Sequence, residues 1–208
     1  MTNTSKSYSR TRTMVEGALM IALSTVLSMI QIPLMPHGGS ITLVSMLPIL
    51  MMSYRHGVSW GLLTAFINSM IQFVQGIGNL AYCQTLSAQL GCVLLDYLLA
   101  FTALGLAGAI AKPFSNRTAG IGVSAFAVCL LRYLCSFLSG YIVWKDYDYA
   151  FSWMSEVGFS GIASMGENAL CWLYSAVYNA TYMIPEAIIT TAAAVILYKA
   201  APKLFEKD

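Results

Sequence analysis

Apolar residues occur along this chain in long unbroken runs, not in the alternations or narrow stripes of a water-soluble domain. Crossing the hydrocarbon of a bilayer takes a helix of about 20 apolar residues. The runs divide on that basis into spans near 14–32, 40–54, 58–76, 86–111, 119–144 and 171–198. The expected fold is an all-α integral membrane protein, a bundle of six transmembrane helices forming one domain over 1–208. The second span has the shortest clean apolar core and contains Pro48, which suits a buried or broken helix as readily as a full crossing.

Composition agrees, since 58% of the 208 residues are apolar and 10% are charged, too little polar surface to cover a soluble globule. The polar start, 1–13, carries Lys6, Arg10 and Arg12 and runs into the first span without an obvious small-residue cleavage site. It is expected to be a cytoplasmic lead-in to the first helix, not a cleaved signal.

The charges are sorted. Six spans with an internal start put Lys6, Arg10, Arg12, Arg55, Lys112, Arg117, Lys199, Lys203 and Lys207 on one side. The connection 145–170 falls on the other and holds Asp146, Asp148, Glu156 and Glu167 against Lys145. This is the positive-inside pattern, so both termini are expected in the cytoplasm and 145–170 becomes a long external loop. That loop also holds Tyr147, Tyr149, Phe151, Trp153 and Phe159. Long loops are often functional, but its composition equally describes a solvated connection, the simpler expectation. Arg55-His56-Gly57 and Lys112-Pro113 punctuate turns on the inner side. The sequon Asn116-Arg117-Thr118 lies on that side too and is set aside.

Several classes of activity fall away. There is no G-x-x-x-x-G-K-[ST] phosphate loop, so energy from ATP would have to come from another subunit. Neither His37 nor His56 has a companion at metal-ligand spacing, and no H-E-x-x-H or G-x-S-x-G is present. Both histidines are expected in loops, with no metal, no cofactor and no nucleic-acid partner. Cys83, Cys92, Cys129, Cys135 and Cys171 form no CxxC pair and fit small hydrophobes. A self-contained channel or a small membrane enzyme is the rival class, but no ring of pore charges and no nucleophile-base pair supports it.

Ionisable residues at membrane depth need partners or a cavity, which draws attention to Glu16, Asp96, Arg132 and Glu186. Glu16 can reach the interface at the inner end of the first helix. Arg132 and Glu186 fall near mid-depth on opposite-running helices, as a buried ion pair would. Asp96 lies about 15 Å from the outer end of the fourth span. It can bind a cation in a pocket open to the outside or pair with Arg132, and the two readings stand equal. Tyr133, Ser136, Gly140 and Trp144 recur at helical spacing, as do Tyr174, Tyr178 and Tyr182 with Asn179 beside them. An interfacial aromatic belt explains Trp144 and Trp172, but not an Asn and several tyrosine hydroxyls deeper in the span. A carboxylate among aromatic faces matches a small aromatic cation. Ala18-xxx-Ala22 in the first span allows close helix approach, to a partner or to the bundle itself.

Ordered motifs then point to a family. They are Glu16-Gly17-Ala18 opening the AxxxA helix, Met35-Pro36-His37-Gly38-Gly39-Ser40-Ile41-Thr42-Leu43, and Ser45-Met46-Leu47-Pro48-Ile49 leading to Arg55 and Gly57. Leu94-Leu95-Asp96-Tyr97 with Ala100-Phe101, Arg132-Tyr133-Leu134-Cys135, Gly140, Trp172-Leu173-Tyr174-Ser175 and Tyr178-Asn179 follow. Over nearly its whole length the chain resembles the substrate-binding membrane subunits of energy-coupling factor transporters, within them the thiamine-specific ones.

The resemblance implies six helices in a prokaryotic cell membrane, capture of thiamine near the outer face, and no enzymatic activity. It also implies docking through Ala18 and Ala22 on a transmembrane coupling protein driven by two ATPase subunits. Asp96 would meet thiamine, with Tyr97, Ser136, Trp144, Tyr174 and Asn179 at pocket positions. The chain departs from the family pattern in three places: Ser136 stands where the family has His, Leu98 follows the Asp-Tyr pair in place of a common Pro, and 145–170 is longer. These departures leave open a thiamine precursor or related heteroaromatic compound as the ligand.

Overall fold

A computed structural model describes residues 2–33 and 39–206 of the chain, with the side chains of 2–9 and Pro33 left aside. Met35, Pro36, His37 and Gly38 of the motif above, and Lys207 among the basic residues, lie outside the described residues.

Helix α1 (Thr2–Met29) is built inside out. Thr13, Gly17, Ser24 and Ser28 are buried on one stripe, while Met14, Val15, Ala18, Leu19, Ala22, Leu23 and Val26 are exposed. In lipid, outward apolar side chains lose nothing, and inward small or hydroxyl residues let helices approach and bond. Ser24 Oγ donates to the Ser45 carbonyl at 2.7 Å, and Ser28 Oγ to Gln75 Oε1 at 3.1 Å. Ala18 and Ala22 therefore point away from the bundle, so internal packing does not account for their spacing.

A short antiparallel hairpin follows, β1 (Gln31–Pro33) with β2 (Ser40–Thr42), in the register Gln31 with Thr42, Ile32 with Ile41 and Pro33 with Ser40. Helices α2 (Leu47–His56) and α3 (Val58–Gln75) come next. Gly57 separates them at φ 84, a left-handed conformation that glycine adopts without a Cβ clash. The expected second span, 40–54, is thus no continuous helix. Its first residues are strand and turn, and α2 has 10 residues, about 15 Å, half the thickness of the hydrocarbon.

Helix α4 (Leu86–Ala111) coincides with the expected fourth span. Helices α5 (Arg117–Ile142) and α7 (Glu167–Ala200) contain most of the fifth and all of the sixth. Among the described residues, four helices are long and apolar enough to cross a membrane, namely α4, α5, α7 and the Arg10–Met29 part of α1. The count of six rests on α2 and α3, which fall short of that standard. Asn116 of the sequon caps α5, its Oδ1 accepting from the Ala119 amide at 3.1 Å.

The connection 145–170 is not a plain solvated loop. It contains helix α6 (Tyr147–Glu156), capped by Asp146, whose Oδ1 accepts from the Tyr149 amide at 2.9 Å. Ala150 and Met154 are fully buried against α7. Its ends are pinned where Lys145 Nζ meets Glu167 Oε1 at 2.8 Å, and Glu167 raises the Lys145 pKa.

At the opposite end of the bundle Glu16 gathers a basic cluster: Arg12 Nε at 3.3 Å, Arg55 Nε at 3.5 Å and His56 Nε2 at 2.6 Å. His56, expected in a loop, is instead the last residue of α2 and ties it to α1. All five cysteines are free, four of them buried. After α7 a 3-10 turn, Pro202–Phe205, folds back and buries Phe205 completely between Tyr54 and Tyr198, with ring centroids at 5.7 and 5.4 Å. Phe205→Ala should cost about 3 kcal/mol or more through the cavity it leaves. The check is the melting temperature of the detergent-purified protein, where a chain ending at Ala201 should show a comparable fall.

Candidate functional site

Helix α4 changes its winding where it meets the interior. Val93–Leu99 is a π-helical stretch, and Asp96 and Tyr97 sit in it. Wider turns of this kind push side chains out of the usual helical register and are frequent at functional sites. Asp96 Oδ2 accepts from Ser139 Oγ at 2.7 Å and from Trp144 Nε1 at 3.0 Å, so one carboxylate oxygen joins α4 to the end of α5. A carboxylate has about four acceptor positions, and these bonds use two of them.

Asp96 lines a cavity of about 740 Å³. Tyr97, Ser136, Trp144, Tyr174 and Asn179 line it as well, so all six residues singled out in the sequence border one cavity. Their local duties differ. Tyr97 is a strut, since its hydroxyl donates to the Gly76 carbonyl at 3.0 Å and accepts from Asn79 Nδ2 at 2.9 Å. Asn179 ties α5 to α7: its Nδ2 donates to the carbonyls of Ser175 at 2.9 Å and Ser136 at 3.3 Å, and its Oδ1 accepts from Tyr182 Oη at 2.7 Å. Among the described residues none bonds the Ser136 hydroxyl. Tyr133, in the same sequence stripe, turns elsewhere and donates to the Ala176 carbonyl at 3.1 Å.

The aromatic side of the cavity is a ladder on α7. Tyr174, Tyr178 and Tyr182 follow one another at 5.3 and 6.4 Å between centroids. Trp153 from α6 packs on both Tyr174 and Tyr178 at 5.6 Å, and Tyr149 meets Tyr174 edge-on at 5.9 Å. Trp153 and Tyr149 escaped the sequence reading because an apparent loop shows no period. The only trace was its unusual share of aromatics. Ser139 also escaped it; its place three residues after Ser136 and next to Gly140 was the available signal.

Electrostatics favour a cation. Arg132 reaches the cavity, but its Nη1 bonds Glu186 Oε2 at 3.0 Å and its guanidinium stacks on Phe101 at 4.4 Å. The expected Arg132–Glu186 pair is present, and the alternative partner for Asp96 is thereby taken. Lys145, also in the wall, is held by Glu167. Among the described residues no cation stands within ion-pair distance of Asp96, and none groups three or more metal-ligating side chains.

Residues 14–206 match the model of the family described as thiamine transporter protein. The chain belongs to the thiamine transporter family. It is 32% identical over 206 residues to the thiamine transporter ThiT of Bacillus subtilis, covering 94% of each chain. With ThiT of Lacticaseibacillus paracasei the identity is 23% over 209 residues, covering 92% of this chain and 89% of the other. A solved structure of ThiT from Listeria monocytogenes has the same fold, with a TM-score of 0.69 at 21% identity, covering 95% of this chain and 98% of that one. Membership makes this a transporter chain, not an enzyme, and a membrane protein.

In this thiamine transporter relative, Gly140 permits the contact that shapes the wall. A Cβ there would fall 2.1 Å from Ser175 Oγ and 3.4 Å from Asn179 Nδ2. Gly140→Ala should destabilise by roughly 1–3 kcal/mol through overpacking. Adding Ser175→Ala should return part of the loss, as thermal melting of the single and double variants would reveal.

Proposed function

We propose that this chain is the thiamine-capturing membrane subunit of an energy-coupling factor transporter in a prokaryotic cell membrane. It takes thiamine from the outer face and delivers it by docking on a coupling protein that two ATPase subunits drive. The observation that carries the ligand reading is Asp96, a carboxylate without a cation of its own in a cavity walled by aromatic rings. Asp96 pairs with the cationic or aminopyrimidine part of thiamine. Trp144 and the tyrosines, Tyr174 foremost, stack on its rings, with cation–π attraction of about 0.5 to 2 kcal/mol per ring. Asn179 orients the ligand through the acceptor lone pair that Tyr182 leaves open. Tyr97 fixes the wall, and Ser136 offers a free hydroxyl.

The orientation we favour has six crossings within one domain and both termini in the cytoplasm. Arg10, Arg12, Arg55, Lys112, Arg117, Lys199 and Lys203 then lie inside, and Asp146, Asp148, Glu156 and Glu167 outside. The second crossing is made by β2 and α2 in series. Non-helical backbone is tolerated at membrane depth where it lines a cavity, as Gly39 and Ser40 do here. The exposed Ala18 and Ala22 on α1 support docking of a partner helix.

Ser136 supports a second reading within the same class, a thiamine precursor or related heteroaromatic compound, because a small side chain there leaves room for a different ring substituent. A competition panel against bound thiamine separates the two. Titration of the purified protein with thiamine should give saturable quenching of tryptophan fluorescence, and folded protein without quenching rejects the assignment. Asp96→Asn should weaken that binding by roughly 10- to 100-fold, the loss of a hydrogen-bonded charge. Replacing Ala18 and Ala22 by Leu should abolish uptake in cells and leave thiamine binding by the purified subunit intact; uptake that survives would put the docking surface elsewhere.

A further inference from the structure

We infer that Glu186 is a positioning residue for ligand retention: through the Thr42 hydroxyl it fastens the β1–β2 hairpin to α7 and so keeps Gly39 and Ser40 in the wall of the cavity. The retention half of this inference rests on the cavity being the ligand site proposed above.

Glu186 is itself no part of the main cavity's wall. It is 1% exposed and borders a smaller adjoining cavity of about 580 Å³, which also meets Thr42, Ser45 and Arg132. Its Oε2 accepts from Arg132, and its Oε1 accepts a hydrogen bond from Thr42 Oγ1. A hydroxyl has one proton to give, and Thr42 gives it to Glu186. The 2.7 Å bond between Thr42 Oγ1 and Ser45 Oγ is therefore donated by Ser45. The Ser45 carbonyl in turn accepts from Ser24 of α1.

Two further observations point the same way. Gly39, at φ +110, lies against the ring of Tyr182, so close that a Cβ would fall 2.7 Å from it. Tyr182 and Glu186 are one helical turn apart on the same face of α7, so the hairpin touches that face at two successive points. Val44, between Thr42 and Ser45, is the described non-glycine residue at positive φ, 55°. For a β-branched residue that conformation is costly and persists only where its flanks are held. Ser45 directly after it and Thr42 two residues before it are the held positions.

A purely structural account gives Glu186 one task, to balance Arg132. That account leaves the Thr42 hydroxyl without consequence, and this separates the two. Thr42→Val removes the hydroxyl, keeps the shape and leaves the ion pair whole, whereas Thr42→Ser keeps the donor.

Two rates decide the matter in the full chain reconstituted in nanodiscs: amide hydrogen exchange of peptides covering 39–45 without ligand, and dissociation of labelled thiamine chased by unlabelled thiamine. For Thr42→Val both should rise roughly tenfold or more, chiefly from losing the hydrogen bond to the charged acceptor. Ser45→Ala, which removes only the bond that Thr42 accepts, should raise them less, and an equal rise for Ser45→Ala overturns the role of Glu186. Exchange in α4 and α5 should stay at the wild-type rate, and Thr42→Ser should behave as wild type in both. Wild-type exchange over 39–45 in Thr42→Val overturns the hold of Glu186 on the hairpin. Faster exchange with unchanged dissociation overturns its role in retention. A Thr42→Ser variant as fast as Thr42→Val also overturns it, because the methyl group would then be what matters. Should the wild type fail to bind thiamine, the ligand assignment fails, while the exchange rates still decide whether Glu186 holds the hairpin.

Discussion

The pairing of Arg132 with Glu186 is the interaction around which the rest is arranged. Two opposite charges inside a membrane bundle are costly to desolvate, and mutual attraction offsets that cost only when the remaining lone pairs and protons are also satisfied. Here Glu186 accepts from both Arg132 and Thr42, and Arg132 lies over the Phe101 ring with Met46 Sδ at 3.3 Å. One pair thereby touches α4, α5, α7, the hairpin and the residue leading into α2. Every element that walls the cavity on that side is fixed against it. The pairing also has a consequence for charge: with Arg132 held by Glu186, Asp96 and Asp146 line the cavity without an ion-pair partner among the described residues, and the cavity favours a cation over an anion.

Legibility from sequence followed the physics of each segment. The spans of α4, α5 and α7 were plain because uninterrupted apolar length is the strongest signal a bilayer imposes. The Arg132–Glu186 pair was legible because isolated charges in such runs have few possible partners. Asp96 was legible on the same ground as a residue needing a partner or a cavity, the two standing equal. Ser136, Trp144, Tyr174 and Asn179 stood out by helical spacing, and Tyr97 through the family resemblance alone. The hairpin and α2 were not, since a mostly apolar stretch does not reveal whether it winds as helix or strand once polar neighbours can satisfy its backbone. Neither was α6. Its ten residues make too short an apolar pattern to stand out, and what commits it to a helix is the Asp146 cap and the burial of Ala150 and Met154 on α7.

The π-helical stretch of α4 is the least visible feature and among the most consequential. Nothing in Val93–Leu99 announces it by composition. Within it Asp96 bonds Ser139 and Trp144, and Tyr97 bonds Gly76 and Asn79, so two adjacent residues serve two different neighbours. Gly76 completes the arrangement, because a Cβ there would fall 2.2 Å from the Tyr97 hydroxyl oxygen.

Helix α1 carries the same logic to the edge of the bundle. Its apolar face meets lipid, which is as apolar as a neighbouring helix, so burial in the hydrophobic sense does little to hold it in place. What holds it is a line of polar contacts: Glu16 paired with Arg55 and His56 of α2, Thr13 with His56, Ser24 with the Ser45 carbonyl, and Ser28 with Gln75. Interhelical bonds of this kind average about 0.6 kcal/mol in membrane proteins. Beyond the Glu16 cluster at one end, three such bonds hold α1 along the bundle, whereas α5 and α7 meet through Gly140, Asn179 and the buried ion pair. The bundle is therefore firm where α5 and α7 meet beside the cavity, and α1 is held chiefly at its Glu16 end. Helix α1 is also the element whose outer face, with Ala18 and Ala22 exposed, takes no part in packing among the described residues.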